Sequence, residues 1–330
     1  MRKHEVAVIT GASAGVGRAA AREFARRGVH LGLIARHRDA LEATKTDIEA
    51  YGVKALVCEA DVARSDQVEA AASAIERDLG PIDIWVNNAM VTIVSPIKQL
   101  HPDEVKQVTE VTYLGAVNGT LAALRRMLPR DRGTIVQVGS ALSYRAIPLQ
   151  APYCGAKFAI RGFTDSLRSE LLHDRSRIHV TMVQLPALNT PQFDWCKTRM
   201  PRKPRPVPPI FQPEIAARAI VWAARHRRRE LFVGSSTVKA ILANKIAPGL
   251  LDRVLGRKGY DAQQSDEPAG PDRIDNLWDT VRKGHDAHGR FDGEAKSNSS
   301  ELWLTTHRAW MGAAALATLV LAHIASRSRR

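Results

Sequence analysis

Short apolar runs alternate along the chain with longer amphipathic stretches. The apolar runs predict strands at 5–10, 30–35, 54–59, 82–87, 133–139, 178–184 and 230–234. The stretches between them have apolar residues at helical spacing and predict helices at 15–28, 38–51, 65–79, 103–128, 151–173 and 213–227. Apolar strands that alternate with helices are typical of a parallel sheet covered on both faces. The pattern therefore predicts a doubly wound α/β fold.

A glycine-rich turn lies between the first predicted strand and the first predicted helix. It reads Thr10-Gly11-Ala12-Ser13-Ala14-Gly15-Val16-Gly17. Glycine lets a backbone turn sharply and approach a pyrophosphate, and the helix N-terminus that follows offers free N–H groups to phosphate oxygens. Glycine also occurs in turns for conformational reasons alone. The strand, turn and helix together favour a dinucleotide-binding site over a structural turn.

Basic residues follow the second predicted strand, at Arg36, His37 and Arg38. In a dinucleotide-binding fold the adenosine ribose lies at this point. An acidic residue here would bind the ribose 2′-hydroxyl, whereas a guanidinium donates paired hydrogen bonds to a 2′-phosphate. Arg36 therefore favours NADP(H) over NAD(H) as the cofactor. A solvated basic start of the next helix is the alternative.

A tyrosine and a lysine stand four residues apart on the predicted helix 151–173. Their side chains, Tyr153 and Lys157, share one face of that helix. A nearby ammonium and an oxidised nicotinamide both favour phenolate, which moves the pKa of a tyrosine from roughly 10 toward neutrality. Ser140 follows another strand and can donate its hydroxyl to a substrate oxygen. A chance pair on a half-exposed helix is the alternative, but the glycine-rich turn and Ser140 favour catalysis.

These motifs together resemble the short-chain dehydrogenase/reductase family over about residues 3–235. The resemblance implies a Rossmann fold with a seven-stranded parallel sheet, and hydride transfer between a nicotinamide and a carbonyl or alcohol carbon. It also implies that Asp61 and Val62 hold the adenine and that Asn87 braces the central strands. Asn88 and Ala89 would line the adenosine and phosphate path. The expected cofactor contacts are Gly11, Ser13, Gly15, Val16, Gly17, Arg36, Asp61, Val62, Asn88, Ala89, Tyr153, Lys157, Pro186 and Thr190.

Three residues depart from the family pattern. Thr112 stands where the family has an asparagine whose backbone carbonyl supports a water-linked proton relay to the lysine. Thr112 keeps that carbonyl and adds a hydroxyl, so we include it among the catalytic residues, with a slower or absent relay as the alternative. Met90 replaces a common glycine near the cofactor. Ala187 replaces the glycine of a Pro-Gly pair, while Thr190 remains to bond the carboxamide.

Composition fits one large α/β domain with an appendage, in 330 residues of which 45% are hydrophobic. Three cysteines lack metal or disulfide spacing, and the N-terminus runs directly into a strand. We therefore expect a cytoplasmic protein without a bound metal. The net charge of +14 is spread along the chain without a nucleic-acid motif. We expect no nucleic-acid partner; anionic lipid, a phosphorylated cofactor or no partner at all explains the charge.

A proline-rich segment, about 188–212, follows the sixth predicted strand. Its prolines exclude a continuous helix, and the resemblance implies that this position covers the active site. A long loop of this kind favours a lid over an apolar carbonyl or alcohol substrate, with a stiff surface loop as the alternative. Its candidate pocket residues are Phe193, Trp195, Met200, Ile210 and Phe211.

Composition changes toward the C-terminus, which divides the chain into a catalytic domain at 1–258, a polar linker at 259–300 and an apolar helix at 301–330. The end of the first part, 236–258, predicts one or two amphipathic helices broken near Pro248. The linker is rich in charge, Gly, Pro and Ser, so we expect it to be exposed or disordered. Within the last part, 309–325 would be about 25 Å long as a helix, short of a roughly 30 Å bilayer core. Flanking Trp and Arg residues favour membrane association, as a marginal span or an interfacial anchor, over packing on a partner subunit.

The favoured function is an NADP(H)-dependent oxidoreductase that interconverts a carbonyl and an alcohol. Tyr153 would exchange the proton of the substrate oxygen, Ser140 would hold that oxygen, and Lys157 would tune Tyr153 and bind ribose. The resemblance implies a small-molecule substrate and a homo-oligomer. A nucleotide-binding redox sensor or scaffold with little turnover is the alternative, which Thr112 and Met90 keep open.

Overall fold

A parallel sheet organises the protein, whose computed structural model describes residues 5–270 and 273–308. The strands of this part are β1 (Val6–Thr10), β2 (His30–Ala35), β3 (Ala55–Glu59), β4 (Ile82–Asn87), β5 (Ile93–Val94), β6 (Thr134–Ser140), β7 (His179–Leu185), β8 (Lys197–Thr198), β9 (Arg202–Pro204), β10 (Glu230–Phe232) and β11 (Gln264–Pro268). Seven of them form the main sheet in the order β10-β7-β6-β4-β1-β2-β3, with every pairing parallel. The order reverses between β4 and β1, and ligands of such sheets bind outside the carboxyl ends of the strands at that reversal. The predicted doubly wound Rossmann fold is confirmed.

Two helical layers cover this sheet. The helices of the described chain are α1 (Gly15–Ala25), α2 (Arg38–Glu49), α3 (Ser65–Leu79), α4 (Pro102–Val108), α5 (Gly115–Met127), α6 (Ala151–His173), α7 (Gln192–Trp195), α8 (Pro213–Arg225), α9 (Ser235–Ile246), α10 (Pro248–Lys258) and α11 (Ser300–Thr306). Strands β1 and β2 are buried along their whole length, so their side chains are covered on both faces of the sheet. Helices α1 and α8 bury Phe24 and Ile220 on one face, and α3 and α5 bury Ile75 and Met127 on the other.

The predicted helix 103–128 is interrupted in the structure. It consists of α4, a π-helical turn at Thr109–Leu114, and α5. A π turn holds one residue more than an α turn, and apolar spacing alone does not reveal it. Beyond the turn, two glycines let α5 lie close to its neighbours. A Cβ at Gly115 would be 2.6 Å from Val62, and one at Gly119 would be 2.1 Å from the side-chain oxygen of Asn87.

The C-terminal part of the described chain packs back on the α/β unit. Helices α9 and α10 meet at the predicted break before Pro248, and β11 pairs antiparallel with β9. Where composition predicts an exposed linker at 259–300, Leu277 and Ala287 are fully buried and Phe291 is 6% exposed. These three apolar residues pack into the interior, which the average composition of the segment conceals. The division of the chain into three parts stays a prediction.

The sequence predicts that the apolar helix 301–330 associates with a membrane. Among the described residues, no helix has both the length and the hydropathy that crossing a bilayer demands. The apolar run 309–325, on which the predicted anchor depends, lies outside the described residues.

Candidate active site

The glycine-rich turn holds the start of α1 close to the carboxyl end of β1. Gly11 and Gly15 have φ of +68° and +54°, in the left-handed region that favours glycine. A Cβ at Gly17 would lie only 2.1 Å from the carbonyl oxygen of Gly11, so no larger residue fits without a shift. The N–H groups of the first helical turn have no carbonyl partners within α1. They form the anion-binding end that a pyrophosphate requires.

Hydrogen bonds fix this turn against the end of β4. The hydroxyl oxygen of Thr10 accepts from the N–H groups of Asn88 and Ala89, at 2.9 and 3.1 Å. The amide of Asn88 donates back to the carbonyl of Thr10, at 3.0 Å. Asn87 instead accepts from the Trp85 indole and donates to Thr120, which braces the central strands and α5 as the resemblance implies.

A cavity of about 190 Å³ runs along the carboxyl ends of β1, β2 and β4. Its walls bring together most of the predicted cofactor residues: Gly11, Ser13, Gly15, Val16, Arg36, Asp61, Val62, Asn88, Ala89 and Thr190. Gly17 lies behind the turn, and Pro186 lies in the neighbouring cavity described below. We refer to the glycine-rich turn and the walls of this cavity as the cradle. Its backbone N–H groups and polar side chains fit a dinucleotide.

Arg36 lies in the wall of this cavity and is held in place by the C-terminal segment. Its guanidinium donates to the carbonyl oxygens of Asn276 and Trp278, both at 2.8 Å. Burial lowers the pKa of Arg36, while the charges of Asp61 and Asp279 raise it. The guanidinium has further N–H donors beyond these two bonds. Arg36 thus presents an oriented cation in the cavity wall at the carboxyl end of β2.

A second, larger cavity of about 480 Å³ adjoins the first. Val16, Asn88, Met90, Thr190 and Gln192 line both cavities, so the two meet along a shared wall. The structure brings three of the four predicted catalytic residues, Ser140, Tyr153 and Lys157, to the second cavity together with Pro186 and Ala187. This juxtaposition places the Tyr153 phenol and the Lys157 ammonium next to the cavity that borders the glycine-rich turn.

Lys157 is a buried cation on α6. Its ammonium donates to the carbonyl of Val138 at 2.7 Å and lies 5.4 Å from the centre of the Tyr153 ring. Burial lowers the pKa of Lys157 to about 8. An ammonium has three N–H donors, so two remain for other acceptors in the site.

The Tyr153 phenol points to Ser140. Burial raises the pKa of Tyr153, the neighbouring Cys154 adds to that rise, and a hydrogen bond with the Ser140 side chain opposes it. Ser140 is itself fixed, because its N–H donates to the Gln184 side chain at 2.9 Å and its hydroxyl oxygen accepts from Leu142 at 3.1 Å. At neutral pH the phenol is protonated and can donate.

Thr112 lies apart from the two cavities. Its hydroxyl donates to the carbonyl of Val91 at 3.0 Å and accepts from the N–H of Val91 at 3.2 Å. The side chain is fully buried within the π turn and lines neither cavity. The hydroxyl therefore holds the chain after β4 against the π turn, which leaves only the Thr112 backbone for the predicted relay.

The predicted pocket residues of the loop 188–212 divide into three groups. Phe193 lines the larger cavity and Trp195 the smaller one. Ile210 and Phe211 are buried in the core, and Met200 packs beside Cys196. Sequence reasoning missed other apolar residues in the wall of the larger cavity: Leu142, Val207, Leu251, Val254 and Leu255. The amphipathic pattern of 236–258 was the signal for the last three.

Sequence reasoning also missed four residues of the segment 273–292 in the wall of the smaller cavity. These are Asn276, Thr280, Val281 and His285. Only the scattered apolar residues of this segment, such as Leu277, indicated that it packs on the core.

Two sequence comparisons agree with this geometry. The family model described as short chain dehydrogenase matches residues 5–198. The uncharacterized oxidoreductase YxnA of Bacillus subtilis is 31% identical over 329 residues, which are 99% of this chain and 92% of that protein. The similarity to YxnA therefore extends beyond the family model into the C-terminal part.

Two solved structures are also similar. An alcohol dehydrogenase from the archaeon Thermococcus sibiricus, complexed with 5-hydroxy-NADP, has a TM-score of 0.61 and 28% identity, over 70% of this chain and 96% of that chain. A metagenomic short-chain oxidoreductase in complex with NADP has a TM-score of 0.59 and 26% identity, over 69% of this chain and 96% of that chain.

Proposed function

We propose that this chain, which belongs to the short-chain dehydrogenase family, is an NADP(H)-dependent carbonyl reductase or alcohol dehydrogenase with Tyr153 as its acid–base group. Members of that family are oxidoreductases of carbonyl and alcohol groups and use a nicotinamide cofactor. The observation that carries the proposal is the meeting of Ser140, Tyr153 and Lys157 in an apolar cavity beside the glycine-rich cradle.

The cradle would hold the cofactor through backbone and side chain together. The N–H groups of Val16 and Gly17 would bind the phosphates, because the Gly15 N–H already donates to the carbonyl of Asp286. Asp61 and Val62 would bind the adenine, and Lys157 the nicotinamide ribose. Thr190 lines both cavities and would bond the carboxamide. A bound nicotinamide supplies or accepts the hydride. The protein's own task is to orient the substrate oxygen and to move one proton at that oxygen.

Tyr153 and Ser140 would perform this task together. In the reductive direction the protonated phenol of Tyr153 donates to the substrate oxygen as negative charge develops there. The hydroxyl of Ser140, whose backbone Gln184 fixes, donates a second hydrogen bond to the same oxygen. The Lys157 ammonium, 5.4 Å from the ring centre, stabilises the phenolate that remains. In the oxidative direction the same phenolate accepts the alcohol proton.

Arg36 supports a preference for NADP(H). It is the cation at the adenosine end of the cavity wall, and its contacts to Asn276 and Trp278 orient it without neutralising its charge. A charged hydrogen bond contributes about 1.5–3 kcal/mol, which corresponds to roughly 10- to 150-fold in affinity. The similarity to two proteins solved with NADP or 5-hydroxy-NADP adds to this argument.

The shape of the larger cavity supports an apolar substrate. Aliphatic side chains from α10 and from the loop before α8, such as Leu251, Leu255 and Val207, form part of its wall, and Ser140 and Tyr153 supply hydroxyl groups to the same cavity. A ketone, aldehyde or alcohol with an extended apolar group would place its oxygen at that polar end. Pockets of this size, with few placed polar groups, suit small-molecule ligands.

The experiment that tests the proposal measures oxidation of NADPH and of NADH by the wild-type protein across a panel of apolar and small polar carbonyls. The Arg36→Leu variant is measured beside it. We expect turnover of apolar carbonyls with NADPH, and a loss in Arg36→Leu that affects kcat/KM for NADPH at least tenfold more than for NADH. No turnover on any carbonyl or matching alcohol, with dinucleotide binding intact, would favour the sensor or scaffold instead.

A further inference from the structure

One end of the segment 273–292, hereafter the strap, is fixed over the adenosine side of the cradle. Leu277 is fully buried in the core of the α3 and α5 layer, and its carbonyl accepts from the Gln107 side chain at 2.9 Å. The N–H of Asn276 donates to the carbonyl of Trp195 at 2.9 Å. Arg36 donates to two strap carbonyls, as described above. This end of the strap is therefore attached to the residue expected to recognise the 2′-phosphate.

A second attachment of the strap, at His285 and Asp286, lies at the phosphate side. The carbonyl of Asp286 accepts from the N–H of Gly15 at 2.9 Å, and the Arg18 guanidinium donates to the carbonyl of His285. The Asp286 carboxylate lies 3.6 Å from Arg22. The strap therefore accepts the hydrogen bond of the Gly15 N–H at the start of α1. The N–H groups of Val16 and Gly17, in the same first turn, remain for a phosphate.

Beyond Asp286 the strap stays in close contact with α8 and with the loop that contains Asn189 and Thr190. His288 bridges Glu214 on α8 and Asp292, each at 2.8 Å. A Cβ at Gly289 would lie 2.6 Å from the carbonyl oxygen of Thr190, so glycine permits the strap to approach that carbonyl closely. Asn189 accepts from the Phe291 N–H at 3.0 Å.

Between these two attachments the strap crosses the cavity. Thr280, Val281 and His285 line the same cavity as the glycine-rich turn and Asp61. The His285 ring lies between His37 and Trp195, with ring centres 4.6 and 5.0 Å away. The cavity of about 190 Å³ is the space that remains beneath this crossing.

We propose that the strap is a part of the dinucleotide site: it closes over the adenosine and phosphate half of the bound cofactor, and the cofactor leaves only when the strap opens. This inference rests on the proposed function, since it concerns the same cofactor. It assigns Asn276, Thr280, Val281 and His285 to the cofactor site and gives the segment 259–300 a role beyond linking. Opening exposes Leu277 and breaks the bonds at Gly15 and Arg36, so release of cofactor is slow.

The test measures release of NADPH. Wild-type protein loaded with NADPH is mixed with excess NADP⁺ in a stopped-flow instrument, and the fall in bound-NADPH fluorescence gives the dissociation rate. Three variants are compared: Leu277→Ala removes the core anchor, His288→Ala removes the bridge to Glu214, and Arg282→Ala is the matched control. Arg282 is exposed on the strap and makes no hydrogen bond or ion pair within the described residues.

We expect dissociation at least tenfold faster in Leu277→Ala, severalfold faster in His288→Ala, and unchanged in Arg282→Ala. Amide exchange of peptides covering 276–289 should slow when NADPH is added to wild-type protein. His288 is partly exposed, so its variant keeps the test decisive even where Leu277→Ala does not fold.

Three results separate the outcomes. Wild-type protein that binds neither NADPH nor NADH would contradict the proposed function. Binding with the same dissociation rate in all variants, and unchanged exchange at 276–289, would overturn the strap inference alone. Tighter binding in His288→Ala, or faster exchange on NADPH addition, would also overturn it, because the strap would then compete with the cofactor.

Discussion

Replacement of Gly17 by alanine tests whether the glycine-rich turn is a cofactor cradle. The added Cβ would lie 2.1 Å from the Gly11 carbonyl oxygen and 2.8 Å from the Asn88 amide nitrogen. Since contacts under 3.0 Å do not occur for real Cβ atoms, the turn must widen by about 0.9 Å. Overpacking of this kind costs about 1–3 kcal/mol. The displaced carbonyl belongs to the turn that would approach the phosphates, so we expect NADPH affinity to fall about tenfold or more.

The matched control is Gly162→Ala on α6, where a Cβ would meet nothing within 4 Å. Alanine is favoured over glycine in a helix by about 1 kcal/mol, so this variant should keep its Tm or gain a few degrees and bind NADPH as wild type does. Fluorescence titration with NADPH and thermal unfolding of both variants provide the assay. A Gly17→Ala protein that binds NADPH with wild-type affinity would refute the cradle.

Three further predictions concern proton transfer, substrate and strap. Because the pKa of Lys157 is about 8, reductive kcat at saturating NADPH should fall as pH rises through that value. A kcat that does not change between about pH 7 and 9.5 would contradict a role for the Lys157 charge. Leu251→Asn should lower kcat/KM for apolar ketones by roughly tenfold while sparing small polar carbonyls, since a buried aliphatic contact contributes about 1.5–3 kcal/mol. Burial lowers the pKa of His288 but the bond to Glu214 and the charge of Asp292 raise it overall. Its stabilisation of the strap is therefore complete below pH 6.5 and is lost as pH rises through the folded-state pKa, so NADPH release should speed up with pH in wild type but not in His288→Ala.

Local signals were sufficient to predict the sheet and the central chemistry. The seven main strands are mostly apolar, and their carboxyl ends mark the crevice at which Ser140 and Asn88 lie. Tyr153 and Lys157 share a helix face because they are four residues apart, which requires no knowledge of the tertiary fold. These features depend on periodicity and on spacing within a single element.

Contacts between distant parts of the chain could not be predicted in this way. Arg36 bonds to Asn276 and Trp278 across about 240 residues of sequence, and composition alone indicated only an exposed segment there. The Thr112 hydroxyl donates to the carbonyl of Val91, and Thr112 lies in a π turn. Neither an extra residue in a helical turn nor the partner of a polar side chain can be recognised from the spacing of apolar residues in the sequence.

The most direct test of the account is the Tyr153→Phe variant, because phenylalanine keeps the ring and removes only the proton donor. NADPH affinity is measured by fluorescence titration and reductive kcat with an apolar ketone that the wild-type protein reduces. We predict a loss in kcat of about 100- to 10,000-fold with NADPH affinity within about threefold of wild type. A variant that keeps more than about a tenth of wild-type kcat would contradict the role of Tyr153 as the acid–base group.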